Sequence, residues 1–205
     1  VAPLLINDPL PRLVLVFSGK RKSGKDHITE LLQERYNCSG PGVSCIVRLS
    51  APLKHTPPPQ DHGLDLRLLL GAGPYKEQYR SEMILWGEEQ RRRDPGFFCR
   101  LATSGATRPV WLVSDARRRS DLTWFKTQFP TQTRTIRVSA SDETRRRRGW
   151  SYIAGTSYFE AVRVGLDSVL DWDWIISNEG DAAELENPFA FTNEHLETTV
   201  SAPWQ

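Results

Sequence analysis

The sequence predicts an α/β domain with a mainly parallel sheet, and two observations carry this prediction. Short, almost wholly apolar runs rich in β-branched residues recur along the chain, as in strands buried on both faces. Segments with helical spacing lie between them, and such alternation favours parallel strands joined by helices. The 205 residues contain no repeat and no dividing linker, so 1–205 is expected to be one domain.

Five segments have the composition of buried strands. They are Arg12–Phe17, Cys45–Leu49, Val110–Val113, Arg134–Val138 and Trp172–Ile176. A glycine-containing loop follows the first strand, and residues 26–36 then place Ile28, Leu31 and Leu32 at helical spacing. A second helix is predicted at Tyr75–Arg93.

The composition is that of a soluble globular protein, with 39% hydrophobic and 25% charged residues. No apolar run approaches the roughly 20 residues that a membrane helix needs. Residues 1–11 lack the features of a signal peptide and are expected to form a loose arm. The tail at about 185–205 has weak periodicity and does not end in a peroxisomal signal.

The three cysteines form no CxxC pair and are odd in number. This argues against a disulfide framework or a zinc site and favours a reducing compartment. The expected location is therefore the cytosol.

Charge is distributed unevenly along the chain. The net charge is +2, but residues 80–150 carry +8 and residues 151–205 carry −9. Only six of the 27 basic residues are Lys. Arginine suits bidentate phosphate contacts, so the middle of the chain is expected to meet an anionic ligand.

The strongest motif is Gly19-Lys-Arg-Lys-Ser-Gly-Lys-Asp26, which follows a buried strand and opens a helix. This is the context of a P-loop, in which backbone N–H groups and the helix N-terminus bind phosphate. Lys25 is expected to reach the β- and γ-phosphates of ATP. The alternative is a Gly-Lys turn that Asp26 caps at a helix start.

Two carboxylates are candidate Mg²⁺ ligands. Asp26 stands where a P-loop usually has Ser or Thr, and it could bind Mg²⁺ or orient an attacking oxygen. Asp115 ends a buried strand, where ligand groups collect in α/β sheets, although a capping role is an equal alternative. Arg117, Arg118 and Arg119 follow directly, and at least one of them is expected to meet phosphate.

Two further basic segments have a functional and a structural interpretation. On the helix predicted at 75–93, Lys76, Arg80, Gly87 and Arg91 share one stripe, which suits either a ligand or close helix packing. Residues 145–148 are four arginines, which form either a solvated helix face or part of a lid at about 142–158 that closes on phosphates.

Taken together, these motifs resemble the animal-type phosphomevalonate kinases from about Arg12 to Gly180. The matching stretches are Phe17–Asp26, Trp86–Glu89, Asp94–Arg100, Trp111–Asp115, Arg117-Arg118, Arg148–Trp150 and Gly165–Asp167. The resemblance implies a P-loop kinase fold like that of the nucleoside monophosphate kinases, with a lid. It implies transfer of the γ-phosphate of ATP to (R)-mevalonate 5-phosphate, with Mg²⁺.

The resemblance also implies site residues. It places ATP on Lys20, Arg21, Lys22, Ser23, Gly24, Lys25, Asp26 and Arg148. It implies a substrate role for Asn178 and a role in activity for Lys22, Arg117 and Arg118. Further basic positions of the family match Lys54, Lys76, Arg80, Arg91, Arg100, Arg137 and Arg145. The family pattern Asn-His-Gly is Asn178-Glu179-Gly180 here, so Glu179 takes the position of a nucleotide contact.

Two alternative functions would account for part of the same sequence. Another small-molecule P-loop kinase, acting on a nucleotide or a sugar acid, would share the same basic residues. An Arg-rich nucleic-acid-binding protein is a different class, but the basic residues lie beside a P-loop and no DNA- or RNA-binding motif is present. The expected partner is therefore a small molecule, and the expected state is a monomer without nucleic acid or membrane.

Overall fold

The computed structural model describes residues 10–38, 42–52, 80–151 and 166–180. The chain forms two compact units, the first comprising residues 1–47 and 106–205 and the second residues 48–105. The predicted arm at 1–11, the lid at 142–158 and the tail at 185–205 lie wholly or partly outside the described residues. The predicted single domain with these parts stays a prediction.

The first unit is built on a five-stranded sheet in the order β2-β3-β1-β4-β5. Its strands are β1 (Leu13–Gly19), β2 (Ser44–Val47), β3 (Val110–Val113), β4 (Thr133–Ser139) and β5 (Trp174–Ser177). All neighbouring pairs are parallel. The predicted parallel sheet is confirmed, and each predicted strand ends within two residues of the observed one.

Five helices fall within the described residues. They are α1 (Lys25–Cys38), α2 (Arg80–Arg93), α3 (Phe97–Thr103), α4 (Arg119–Gln128) and α5 (Asp142–Arg147). The first two were predicted, although residues 75–79 of the second prediction are not described. The sequence analysis did not predict α3 and α4, because they are only seven and ten residues long and offer few periodic apolar positions.

The central strand β1 is buried on both faces. Leu15 and Phe17 pack with Ile28, Leu32 and Tyr36 of α1 in one apolar cluster. These five side chains are at most 1% exposed. Burial raises the pKa of the Tyr36 hydroxyl above its ordinary value. Apolar packing on α1 therefore fixes the point where β1 ends and α1 begins.

The other face of the sheet is covered by α4. Trp111 alternates with residues of the α1 cluster along β3, so it points to the opposite face. There its ring meets Phe129 edge-on at a centroid distance of 5.2 Å. Phe125 of α4 is fully buried, and its carbonyl accepts a hydrogen bond from the Thr133 hydroxyl at 3.1 Å. Both faces of β1 and β3 are thus enclosed, as a parallel sheet requires.

The second unit holds α2 and α3, which meet through aromatic side chains. Trp86 contacts Phe97 and Phe98 edge-on at centroid distances of 6.3 and 6.0 Å. Arg91 lies over the Phe98 ring at 4.2 Å, and Gly87 is buried on the same helix. Asp94 pairs with Arg100 and accepts the Gly96 N–H at 3.0 Å. Gly87 is thus buried within this unit, and close helix packing at this residue stays a prediction.

No helix among the described residues is long and apolar enough to span a membrane. In the sheet, the carboxyl ends of parallel strands meet at one edge, where α/β proteins bind ligands. That edge carries the P-loop after β1, Asp115 after β3, Ser141 after β4 and Asn178 after β5.

Replacing Leu15 by Ala should lower the free energy of unfolding by about 2–5 kcal/mol, because it opens a cavity in the central strand. Urea unfolding followed by circular dichroism measures this. The matched control is Leu170→Ala, since Leu170 is 89% exposed and its loss should change stability by no more than about 0.5 kcal/mol. Equal effects of the two variants would contradict the placement of β1 in the core.

Candidate active site

The P-loop (Gly19–Asp26) makes a sharp backbone turn between β1 and α1. Lys22 and Gly24 both have positive φ, of 65° and 88°. The turn is closed by a hydrogen bond from the Ser23 N–H to the Lys20 carbonyl at 3.1 Å, and the helix starts with Ile28 N–H to the Gly24 carbonyl at 3.0 Å. The strand–loop–helix order predicted from the sequence is present.

Glycine is required at two points of this loop. A Cβ on Gly24 would collide with the Asn178 amide nitrogen, and its positive φ would strain any other residue. A Cβ on Gly19 would lie 2.5 Å from the Ser23 hydroxyl and 2.6 Å from the Val138 carbonyl. The loop is therefore pressed against β4 and the end of β5, with no room for side chains at these positions.

Asn178 holds the loop from behind. It is 3% exposed, and its amide nitrogen donates to the Ser23 carbonyl at 2.9 Å. Its amide oxygen accepts from Arg148 Nη2 at 3.0 Å, while Arg148 Nη1 donates to the Ser23 carbonyl at 3.3 Å. Both polar ends of Asn178 are thus used within the protein, and its predicted role in substrate binding stays a prediction.

A second arginine fixes the loop one turn earlier on α5. Arg145 is 2% exposed, and its Nε donates to the Arg21 carbonyl at 2.9 Å. Its guanidinium pairs with Asp142 at 2.8 Å and stacks 3.9 Å from the centroid of the Trp150 ring. The carbonyl oxygens of the loop are therefore held by arginine and amide donors, which turns these acceptors away from an anionic ligand.

A cavity of about 770 Å³ lies against the P-loop. Seven basic side chains line it, against two acidic ones. The basic ones are Lys20, Arg21, Lys22, Lys25, Arg117, Arg145 and Arg148, and the acidic ones are Asp26 and Asp142. The volume is in the range of small-molecule sites, and the charge balance favours a polyanion such as a nucleoside triphosphate. The residues present therefore fit ATP.

The lysine and the aspartate at the start of α1 are paired. Lys25 Nζ lies 2.6 Å from Asp26 Oδ1, and the Asp26 side chain is 64% exposed whereas that of Lys25 is 13% exposed. Asp115 is 6% exposed, and the next two residues, Ala116 and Arg117, line the cavity. In the described residues no three His, Cys, Asp or Glu side chains are grouped to hold a metal ion. This is compatible with Mg²⁺, which binds one or two carboxylates and completes its shell with water and phosphate.

Buried Asp121 fixes the backbone of the two candidate substrate arginines. It is 2% exposed, and its Oδ2 accepts the N–H groups of Arg117 at 3.0 Å and Arg118 at 3.1 Å. Arg117 is exposed and lines the cavity, whereas Arg118 is half-buried at the start of α4. Arg117 therefore lies at the P-loop cavity, whereas Arg118 does not line it.

Arg137 and Lys20 share one carboxylate. Asp167 lies 3.3 Å from Lys20 Nζ and pairs with Arg137, whose Nη1 also donates to the Ser18 hydroxyl at 3.2 Å. Lys20, Arg137 and Asp167 line a second cavity of about 400 Å³ together with Trp172. Arg137 is therefore linked through Asp167 to Lys20, the first basic residue of the P-loop.

Glu179 does not line the P-loop cavity. Its carboxylate accepts hydrogen bonds from Thr144 Oγ1 at 2.5 Å, Ser141 N at 2.7 Å and Ser141 Oγ at 2.8 Å. The bonds from Thr144 and Ser141 hold the pKa of Glu179 below its ordinary value. Its predicted contact with the nucleotide stays a prediction.

Other predicted site residues belong to the second unit or are not described. Arg80 begins α2 and Arg91 lies near its end, over Phe98, while Lys54 and Lys76 lie outside the described residues. Arg146 and Arg147 are exposed on α5.

Four residues that shape the site were not predicted from the sequence. Asp121 fixes the backbone of Arg117, Trp150 stacks with Arg145, and Ser141 and Thr144 bind Glu179. Ser141 followed by acidic residues at a helix start was a usable capping signal. Asp121 offered a similar local signal, since it is an acidic residue in the first turn of α4 that accepts the N–H groups of the residues three and four positions earlier. The stacking of Arg145 on Trp150, five residues later, has no comparable pattern in the sequence.

Comparison with known proteins gives a consistent result. A family model described as phosphomevalonate kinase matches residues 17–131. A phosphomevalonate kinase of Drosophila melanogaster is 42% identical over 172 residues, which are 81% of this chain and 88% of the fly protein. The crystal structure of TT1252 from Thermus thermophilus has a TM-score of 0.54 at 18% identity, covering 91% of this chain and 99% of that one. The structure of APE1195 has a TM-score of 0.50 at 14% identity, covering 95% and 99%. At such identities the two structures show a shared fold alone.

Replacing Gly24 by Ala should weaken ATP binding about five- to 150-fold, because strain at a positive φ costs about 1–3 kcal/mol and the new methyl group displaces Asn178. Titration calorimetry with ATP measures the change. Gly105→Ala is the control, since a Cβ there meets nothing within 4 Å. Unchanged ATP affinity in the Gly24 variant would show that the loop geometry is not needed for binding.

Proposed function

Because this chain belongs to the phosphomevalonate kinase family, we propose that it transfers the γ-phosphate of ATP to (R)-mevalonate 5-phosphate, giving mevalonate 5-diphosphate and ADP. The chain is an ATP-dependent kinase that acts on a small molecule, with a P-loop kinase fold. The observation that carries this function is the P-loop, held by Asn178 and two arginines beside a strongly basic cavity.

We place the phosphates of ATP on the P-loop. Lys25 starts α1 within the loop, where the N–H groups of the first helical turn lack intrahelical partners and bind anions. The ammonium group of Lys25 would stabilise charge that develops on the transferring phosphoryl group. In the described structure this ammonium is paired with Asp26, so phosphate binding would exchange one anionic partner for another.

Asp26 and Asp115 are the residues that we propose to hold Mg²⁺, which would neutralise charge between the phosphates of ATP. Asp26 is also free to orient the attacking oxygen, since its side chain is mostly exposed at the cavity. Asp115 lies two residues beyond β3, next to Ala116 of the cavity lining, and is mostly buried, which suits a role through water.

The acceptor in this reaction is itself a phosphate, so two anions must meet in one site. Arg117 is the best-placed arginine for the acceptor, because it lines the cavity on a backbone that Asp121 fixes. We assign supporting roles in acceptor binding to Arg118, Arg137, Arg80, Arg91 and Lys76. Arginine binds phosphate through charge-assisted hydrogen bonds. Because several arginines would share the acceptor, removing one of them should weaken acceptor binding without abolishing it.

We also propose that residues 142–158 form a lid. Its first part, α5, lies against the P-loop through Arg145, and residues 152–158 of the predicted lid are not described. Closure over the phosphates would exclude water, which otherwise competes as the acceptor. We further expect the protein to be a monomer. We expect it to act in the cytosol, because its three cysteines are free thiols, as is usual in a reducing compartment.

The direct test is a coupled assay of ADP release with mevalonate 5-phosphate and with nucleoside monophosphates, each at the same concentration. Turnover with mevalonate 5-phosphate alone is the expected result. Preferential turnover of a nucleoside monophosphate would refute the proposed substrate and favour a nucleotide kinase with the same P-loop.

Lys25→Met should lower kcat by about 10²–10³, the range found when one group that stabilises transition-state charge is lost. The matched control is Lys126→Met, which removes an exposed lysine paired with Asp171 at 3.6 Å. The control should keep the parent's kcat, and both proteins should have the parent's circular dichroism spectrum. A Lys25 variant within a few-fold of the parent would sink the assignment of the P-loop lysine.

Arg117→Ala should raise KM for mevalonate 5-phosphate more than Arg118→Ala does, because only Arg117 lines the cavity. Loss of a charge-assisted hydrogen bond corresponds to about 1.5–3 kcal/mol, or roughly ten- to 150-fold in KM. Arg134→Ala is the control, since Arg134 binds the Thr131 and Thr133 carbonyls at the opposite end of β4. If KM and kcat of both Arg117 and Arg118 variants match the control, the acceptor binds elsewhere.

A further inference from the structure

One carboxylate connects the ends of two neighbouring strands. Glu179 lies two residues beyond β5, and Ser141 lies two residues beyond β4 and caps α5. The two oxygens of Glu179 accept three hydrogen bonds from the start of α5, at 2.5 to 2.8 Å from Thr144 and Ser141. The Ser141 hydroxyl in turn accepts the Thr144 N–H at 3.2 Å. The carboxylate therefore fixes the first turn of the helix.

The other end of the same helix holds the P-loop. Arg145 donates to the Arg21 carbonyl at 2.9 Å, and Arg148, the residue after α5, donates to the Ser23 carbonyl at 3.3 Å. A helix of six residues is a short rigid element with a rise of about 1.5 Å per residue, so the position of its start determines where both arginines point. Asn178, next to Glu179, binds Arg148 at 3.0 Å. Adjacent residues after β5 thus hold both ends of α5.

We propose that Glu179 is a positioning residue for the nucleotide site, which docks the start of α5 on the end of β5 and thereby sets Arg145 and Arg148 against the P-loop. This inference rests on the proposed function, because it assigns Glu179 a part in ATP binding. This positioning role takes the place of the predicted direct contact between Glu179 and the nucleotide. Both carboxylate oxygens of Glu179 bind α5, and the residue does not line the P-loop cavity.

The charges around the carboxylate are consistent with this role. The hydrogen bonds from Thr144 and Ser141 lower the pKa of Glu179 most, and the positive charge of Arg148 lowers it slightly further. On α5 itself, Arg147 Nη2 donates to the Thr144 hydroxyl at 2.8 Å, so this hydroxyl accepts from Arg147 and donates to Glu179. A neutral side chain at position 179 would remove the carboxylate that accepts all three hydrogen bonds from Ser141 and Thr144.

The test compares Glu179→Ala, Arg148→Ala and the double variant in steady-state kinetics. Glu179→Ala should raise KM for ATP about tenfold, as expected for the loss of a charge-assisted hydrogen bond, and leave KM for mevalonate 5-phosphate unchanged. The double variant should raise KM for ATP by less than the product of the two single effects, because both changes disturb the Arg148 contact, while only the loss of Glu179 also disturbs Arg145. Glu143→Ala, which removes an exposed carboxylate of α5, is the matched control and should keep the parent's constants.

Two variants keep the test decisive if Glu179→Ala fails to fold. Glu179→Gln retains one acceptor oxygen and should fall between the parent and Ala in KM for ATP. Ser141→Ala with Thr144→Val removes the hydroxyl donors from the other side and should raise KM for ATP in the same direction. A KM effect in the double variant that equals the product of the single effects would indicate independent contact with the nucleotide and overturn the proposal, as would an unchanged KM in Glu179→Ala.

Binding of ATP measured by calorimetry without acceptor separates this inference from the proposed function. If the parent binds ATP, Glu179→Ala binds it about tenfold more weakly and neither uses mevalonate 5-phosphate, the substrate assignment fails and the positioning role stands. If the parent uses mevalonate 5-phosphate but both proteins bind ATP equally well, the function stands and the positioning role is overturned.

Discussion

The backbone turn at residues 22–24 is the constraint on which the candidate site depends. Positive φ values at Lys22 and Gly24, on either side of Ser23, reverse the chain between β1 and α1. Such a conformation is costly for Lys22, so neighbouring contacts must hold it in place. Asn178 and Arg148 do so by binding the Ser23 carbonyl. The phosphate site is therefore formed by elements that are far apart in sequence and meet only because parallel strands end at one edge.

Charge compensation is the second feature of the site. Many more basic than acidic side chains line the cavity. Several of the basic side chains form ion pairs with aspartates of the protein. Lys25 pairs with Asp26, Lys20 with Asp167, and Arg145 with Asp142. Ion pairs that are partly exposed contribute little to stability, so a polyanionic ligand can replace the aspartates at low cost. Buried Arg145 differs, because its stacking on Trp150 and its bond to the P-loop give it a structural role.

Phosphoryl transfer between two anionic substrates makes strong demands on such a site. The protein must bring both phosphates together, screen their repulsion and exclude water. The arginines that we propose for this purpose are positioned by other side chains, as Asp121 fixes the backbone of Arg117 and Arg118. Carboxylates in this protein therefore act mainly on the geometry of the cationic groups.

The sequence alone determined the parallel sheet, the P-loop and its helix, because apolar runs and the Gly-Lys motif are local patterns that need no tertiary information. It also indicated the family, through motifs of high specificity such as Trp111–Asp115. The sequence did not reveal the short helices α3 and α4, whose stability depends on packing rather than on periodicity. Tertiary structure alone decided that Glu179 and Asn178 hold opposite ends of α5. Their partners lie 30 or more residues away, and hydrogen bonds between strand ends leave no local signal in the sequence.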